Sequence, residues 1–296
     1  MSFTVDIKDE LCRLPSVKPC CAAAECLGLL LYGTVLSPER VRLMPQSGAV
    51  RQRVATLFRE VFGITPATPE GQPSVLEIES AGDIQKIYAA FGYDYKSAPL
   101  QLNLAVLEDE CCKSAFLRGA FLTGGYVSFA GKGYHLELVT SHYHVARQLR
   151  ALLLDLEMPA GLIQRRGNYV LYYKDSALIE DFLTACGASG SAMELMLQKV
   201  ERDLRNKVNR KVNCETANLS KTVEAAARQI AAIHRLQQSG RLDELPAVLR
   251  ETARIRLENP EMSLSELQEL FTPPISRPGL SGRIRKLVKL SEELPL

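Results

Sequence analysis

The chain has 296 residues, 46% of them hydrophobic and 24% charged, a composition that excludes collagen-like and wholly disordered chains and, at about 150 residues per domain, predicts two domains. The formal charge is only +2, so attraction to a polyanion has to come from local clustering of bases. No apolar run approaches the ~18 residues of a bilayer span, and Met1 to Leu14 interleaves acids and bases, unlike a secretory leader. Eight cysteines in such a chain predict a reducing, cytoplasmic setting.

In chain order, the first predicted helix is Ala22 to Tyr32, ending at Gly33. Strand-like runs follow within Val35 to Met44, then an amphipathic basic helix from Gly48 to Phe62, a strand at Val75 to Glu79 and a helix from Asp83 to Phe91. The same order then returns. A helix from Ser114 to Thr123 ends at Gly124-Gly125, and Tyr126 to Thr140 carries strands, with Tyr134-His135-Leu136-Glu137-Leu138 alternating at period two. A helix from His142 to Leu156, a strand at Tyr169 to Tyr173 and a helix from Ser176 to Cys186 complete the copy. Gly33 and Gly125 stand 92 residues apart, the mark of an internal repeat, with copies at about 1–95 and 96–188.

Gly187-Ala188-Ser189-Gly190-Ser191 reads as a small-residue link between domains. The charge changes there too: residues 1–188 carry 18 Lys and Arg against 20 Asp and Glu, whereas 189–296 carry 18 against 14. Residues 189–296 are predicted to be helical, over Ser191 to Lys211, Lys221 to Gln238 and Asp243 to Leu257, followed by two short helices. Ser263-Leu264-Ser265-Glu266 is a capping box that starts one of them, and Pro273-Pro274 stops it. The last helix, Arg277 to about Leu290, places Leu280, Ile284, Leu287 and Val288 on one face.

That last helix holds Arg277, Arg283, Arg285, Lys286 and Lys289, and residues 275–290 hold no acid. After a capped short helix and a turn, this is the layout of a helix-turn-helix recognition helix, whose first turns meet base edges and whose bases meet phosphates. A solvated basic face is the alternative reading. Ser276 and Ser281 join the predicted DNA-binding set. A second basic segment, Arg202 to Asn213, offers Arg205, Lys207, Arg210 and Lys211 to phosphates, or is a linker helix exposed to water. The vicinal pairs Cys20-Cys21 and Cys111-Cys112 open the two repeat-related helices. They lack the usual two-to-four-residue ligand spacing, so they read as packing residues and no metal site is assigned. His135, His142 and His144 lack a partnered carboxylate or nucleophile and predict no catalytic site. No glycine-rich phosphate loop occurs, and no cofactor is expected.

Leu117-Arg118-Gly119-Ala120-Phe121-Leu122-Thr123-Gly124-Gly125 resembles the LAGLIDADG motif of homing endonucleases, in which small residues let two helices cross and a penultimate aspartate holds the divalent metal. Here that position is Gly124, and in the first copy it is Tyr32. Neither can clamp a hard cation at a scissile phosphate, so the resemblance implies a domain without nuclease chemistry.

The ordered motifs Ser2-Phe3-Thr4, Lys8-Asp9-Glu10-Leu11, Cys20-Cys21 and Cys111-Cys112 extend this likeness along the chain, as do Arg210-Lys211-Val212-Asn213-Cys214-Glu215-Thr216-Ala217-Asn218 and Pro260 to Leu267, and last Ser276 with Arg283-Ile284-Arg285-Lys286-Leu287. Together they resemble the WhiA family of bacterial transcriptional regulators. The resemblance implies an α+β LAGLIDADG-type pseudo-twofold domain over 1–188, then an all-α helix-turn-helix domain, sigma-region-4-like, over 189–296. It implies a cytoplasmic, nucleoid-associated regulator that binds double-stranded DNA in connection with sporulation, cell division and chromosome segregation. Alternatives are an active homing endonuclease, or a module acting mainly through RNA polymerase or another transcription regulator. Bases Arg42, Lys132, Arg165 and Arg166 on the strands of the first domain are expected to add weak phosphate contacts.

Overall fold

The computed structural model describes residues 2–15, 18–33, 35–94, 100–130 and 133–294, without the side chains of residues 129 and 130. The expectation for Lys132 therefore lies outside the described residues. The chain divides into two compact units, Met1–Val200 and Glu201–Leu296.

The first unit opens with α1 (Phe3–Arg13) and α2 (Pro19–Leu31), followed by β1 (Val35–Leu36), β2 (Val41–Leu43), α3 (Gly48–Phe62), β3 (Leu76–Ile78) and α4 (Ala81–Ala90). A 3₁₀ turn at Leu104–Leu107 leads into the second copy: α5 (Glu110–Gly124), β4 (Gly125–Ala130), β5 (Gly133–Thr140), α6 (Tyr143–Asp155), β6 (Gly161–Arg165), β7 (Asn168–Tyr173) and α7 (Ser176–Cys186). α2 is apolar on nearly every side and is buried from Ala24 to Leu31, as a helix at the centre of a domain has to be. It lies directly on α5. A β-carbon on Gly28 would stand 2.3 Å from the Phe116 carbonyl oxygen, and one on Gly119 would stand 2.1 Å from the Glu25 carbonyl oxygen. The two backbones touch, and only glycine fits at either point.

Each copy folds its strands into an antiparallel sheet, ordered β1-β2-β3 in the first and β4-β5-β7-β6 in the second. The counterpart of β6 in the first copy is reduced to a single bridge between Ala67 and Glu77. Strand β6 itself escapes the sequence because its residues are mostly exposed and show no alternation. Helix α1 escapes it because Lys8 interrupts the buried stripe of Thr4, Ile7 and Leu11. The Thr4 hydroxyl donates to the Val127 carbonyl at 2.7 Å and accepts from the Val127 N–H at 2.9 Å, which satisfies that residue's backbone on the edge strand β4. The Thr140 hydroxyl likewise donates to the Leu31 carbonyl at the end of α2, at 2.7 Å.

One acid is buried at the helix crossing. Glu25, 1% exposed, accepts from Nε and Nη2 of Arg53, both at 2.8 Å, and from Nη1 of Arg118 at 3.2 Å. Arg118 also donates to the Cys186 carbonyl at the end of α7.

The predicted link at 187–191 is a packed turn. Gly187, with φ of 100°, ends α7, Ala188 is buried, and α8 (Ser189–Gln238) begins at once, its Gly190 and Ser191 amides donating to the Glu10 carboxylate at 2.8 Å each. Ala192 and Leu195 of α8 belong to the first unit's core, which carries that unit past the expected end at 188. The two helices expected over Ser191 to Lys211 and Lys221 to Gln238 are one, because residues 212–220 contain neither glycine nor proline to stop α8.

The second unit contains the later turns of α8, then α9 (Ala247–Glu258), α10 (Leu264–Leu267), a 3₁₀ turn at Gln268–Leu270 and α11 (Arg277–Glu292). α9 begins four residues later than Asp243, after Pro246 at its N-cap. Ile233, Leu236, Leu249, Ala253, Leu267, Phe271, Leu280, Ile284 and Leu287 form its core.

Two outcomes follow for stability. Gly119→Ala is expected to destabilise the first unit by about 1–3 kcal/mol through overpacking, whereas Gly282→Ala, whose β-carbon meets nothing within 4 Å, should be neutral or stabilise the second by up to ~1 kcal/mol. Urea melts of the full chain read both. Burial also pulls the Lys8 ammonium down to about 8, so the folded chain releases this proton before the unfolded chain does. Lys8→Met should therefore be more stable than the parent at pH 7, by roughly 1–3 kcal/mol. Its advantage should shrink as pH rises from about 8 towards 10.5, where the unfolded lysine also loses its proton.

Candidate nucleic-acid interface

α10 starts at the capping box expected from the sequence. Ser263 Oγ accepts from the Glu266 N–H at 3.3 Å, and the Glu266 carboxylate accepts from the Ser263 N–H at 2.7 Å. The turn before it is fastened by Arg256, a buried cation that donates to the Met262 carbonyl and, at 3.4 Å, to that of Pro260. Nothing in the sequence pattern distinguishes Arg256 from the exposed Arg250 and Arg254 of the same helix.

α11 is opened by Ser276, whose Oγ accepts from the Gly279 N–H at 3.3 Å, and Pro278 occupies the first turn, where no amide partner is needed. Leu280, Ile284, Leu287 and Ser291 face the core. At 3.6 residues per turn the opposite side carries Pro278, Gly282, Arg285 and Lys289, with Lys286 beside them. Arg277, Arg285, Lys286 and Lys289 are exposed, whereas Ser281 and Arg283 stand half-buried at the flanks. Arg283 does not project freely: its guanidinium carbon lies 5.8 Å from the centre of the Phe271 ring and ties α11 to the preceding turn. The outward face is thus bare backbone at Gly282, followed by two cations one turn later and a third after two turns.

Arg277 and Lys221 of α8 line one groove of about 220 Å³, with Gln229 and Arg256 at its wall. Arg205, Lys207, Arg210 and Lys211 are all exposed on α8. Arg205 pairs with Glu201 at 2.8 Å and Lys211 with Glu215 at 4.0 Å, one turn away in each case. No carboxylate among the described residues pairs with Lys207 or Arg210. The same segment has a regular apolar stripe that the sequence reading missed, with Leu204, Val208 and Val212 exposed at intervals of four.

In the first unit one of the strand bases, Arg165, is neutralised by an acid. Arg165 makes two hydrogen bonds to Glu137, at 2.6 and 3.0 Å, and Arg42 donates to Gln72. Arg166 is exposed with a positive φ of 52°. His135 does have a carboxylate partner, contrary to expectation: its Nε2 lies 2.8 Å from Glu137, because residues two apart on a strand share a face. Burial alone would raise the Glu137 carboxyl, but the hydrogen bonds from Arg165 and His135 outweigh it and hold the group below the usual carboxylate range.

The carboxyl-terminal ends of α2 and α5 meet where endonucleases of the LAGLIDADG type would hold metal. Tyr32 and Gly124 are packed together there: a β-carbon on Gly124 would come within 3.0 Å of the Tyr32 ring and 2.6 Å of the Val139 carbonyl oxygen. Tyr32 is buried, and burial holds its phenol far above the usual range. The adjoining cleft of about 360 Å³ has Gln46, Thr123, Tyr126, Ser141 and Asn168 in its wall and no carboxylate among its lining residues. At the other end of the same helices, the sulfurs of Cys20, Cys21, Cys111 and Cys112 lie within 4.8 Å of one another, a convergence that adjacent positions in sequence do not reveal.

Two family models match the chain, the WhiA LAGLIDADG-like domain over residues 113–205 and the WhiA C-terminal HTH domain over residues 208–291. The chain is 37% identical to a probable cell division protein WhiA of Ruminiclostridium cellulolyticum, over 99% of this chain and 98% of that one. It is 35% identical to the protein of the same name from Desulforamulus reducens, over 99% and 96%. The crystal structure of full-length WhiA from Thermatoga maritima superimposes with a TM-score of 0.59 at 25% identity, covering 100% of both chains. With a LAGLIDADG-like domain ahead of a helix-turn-helix domain and this similarity along its length, the chain belongs to the WhiA family.

Proposed function

We propose that the protein is a transcriptional regulator of cell division that reads double-stranded DNA through α11 and has no nuclease activity. We place it in the cytoplasm, on the nucleoid, with sporulation and chromosome segregation among the processes it serves. The observation that carries this reading is the outward face of α11, where Arg285, Lys286 and Lys289 follow the bare backbone at Gly282 and no acid intervenes. A helix of that kind can enter a major groove closely, since no side chain at Gly282 holds it off, and its cations can reach the flanking phosphates. Arg277 and Lys221 extend the positive surface, and Lys207 and Arg210 offer further phosphate contacts. Arg283, held on Phe271, sets the pose of the helix and contributes less to readout than Arg285. Ser276 serves as cap, and Ser281 lies at the edge of the reading face.

In this reading the LAGLIDADG-like unit is a scaffold. Cleaving a phosphodiester with hard divalent ions requires carboxylates at the helix ends, and Tyr32 and Gly124 supply none.

Arg285→Ala/Lys289→Ala in the full chain should weaken binding to its genomic site by roughly tenfold or more and make the dependence of log K on log salt shallower by about 2. Fluorescence anisotropy across a salt series measures both. Affinity within about twofold of the parent, with an unchanged slope, would remove α11 as the reader. Supercoiled plasmid carrying the bound site should stay intact with magnesium or manganese. Nicking that EDTA abolishes and that a change at Thr123 or Asn168 also removes would overturn the scaffold reading.

A further inference from the structure

We propose that Cys20, Cys21, Cys111 and Cys112 form a tetrathiolate site for one soft divalent cation, with zinc as the ion of choice, joining the amino-terminal ends of α2 and α5. The residues come as two adjacent pairs in the first turns of two helices of 13 and 15 residues. All four Sγ atoms lie within 4.8 Å of one another. Zinc–sulfur bonds of about 2.3 Å set tetrahedral sulfurs about 3.8 Å apart, so closing on an ion requires the widest pair to approach by about 1 Å, within the reach of cysteine rotamers.

Each sulfur therefore neighbours all three others. The short spacing is no obstacle, because each helix contributes two ligands and the glycine crossing brings the two pairs together. Gly28 is two turns beyond Cys21 and Gly119 two turns beyond Cys112, so the backbone contact that fixes the helices also fixes the distance between the thiols.

The chemistry of the donors selects the ion. Four thiolates with no imidazole and no carboxylate favour soft cations over magnesium or manganese. Binding replaces four S–H bonds by four metal–sulfur bonds; the protons pass to solvent and no oxidation state changes. The resulting negative centre is met by the positive ends of both helix dipoles and by the Lys18 ammonium, 3.9 Å from the Cys111 sulfur. Cys20 is exposed and Cys112 buried, so an ion can arrive from solvent and be held against the core.

The full chain, purified under reducing conditions, should carry one zinc per chain in native mass spectrometry. Exchange for cobalt(II) should produce the near-ultraviolet thiolate charge-transfer absorption and the visible bands of a tetrahedral sulfur site. Cys20→Ser/Cys112→Ser should abolish both, and Cys214→Ser, an exposed cysteine of α8, should change neither. Removing the ion with a chelator should lower Tm by several degrees. The proposal is overturned if the reduced parent chain takes up neither zinc nor cobalt stoichiometrically, if the double variant keeps the cobalt spectrum, or if freshly isolated protein holds these cysteines as disulfides without metal. The cobalt titration of the parent chain decides the matter even where a variant fails to fold.

Discussion

The backbone contact between α2 and α5 is the constraint on which the first unit depends. Gly28 sits against the carbonyl of Phe116 and Gly119 against that of Glu25, so the two helices share one axis of contact with no side chain between them. That contact fixes what lies at each end. At one end four thiols converge, and at the other Tyr32 closes over Gly124. The strands that follow each helix start from those fixed ends, which is why the two sheets are built alike.

The buried ion cluster sits on the same contact. Desolvating a carboxylate and two guanidinium groups costs several kcal/mol per ion before their attraction returns it, so Glu25 with Arg53 and Arg118 is weak evidence of net stability. What the cluster does is specify geometry. Arg53 comes from α3, Arg118 from α5, and Glu25 from α2, so one buried carboxylate ties three helices together. Glu25 is therefore committed to structure, and its distance from Tyr32 along α2 keeps it from any role at the opposite end.

Much of the architecture was legible because it rests on local rules. The 92-residue repeat, the capping box at Ser263 and the glycine-ended central helices all appear in the sequence and in the fold. The failures have physical causes. A small-residue run at 187–191 looks like a tether, yet small residues also allow tight packing, and here Ala188 is buried. A basic residue in the last helix looks free, yet Arg283 has an aromatic ring within reach from the turn before it. The vicinal cysteines were unreadable as a cluster because their partners lie about 90 residues away and meet only through a helix crossing. Long-range convergence of this kind leaves no periodicity to detect.

The separation of α2 from α5 along the chain also bears on how the protein is made. α2, apolar around its circumference, is complete at Leu31, but its packing partner is not complete until Gly124. The ties that close the first unit, Thr4 to Val127, Glu25 to Arg118 and Leu31 to Thr140, all span more than 90 residues. At about 5–20 residues per second the ribosome takes roughly 5–25 s to supply those partners. During that interval the first repeat leaves the exit tunnel with its most hydrophobic helix uncovered, so nascent-chain binding factors have a defined segment and a defined time window in which to act.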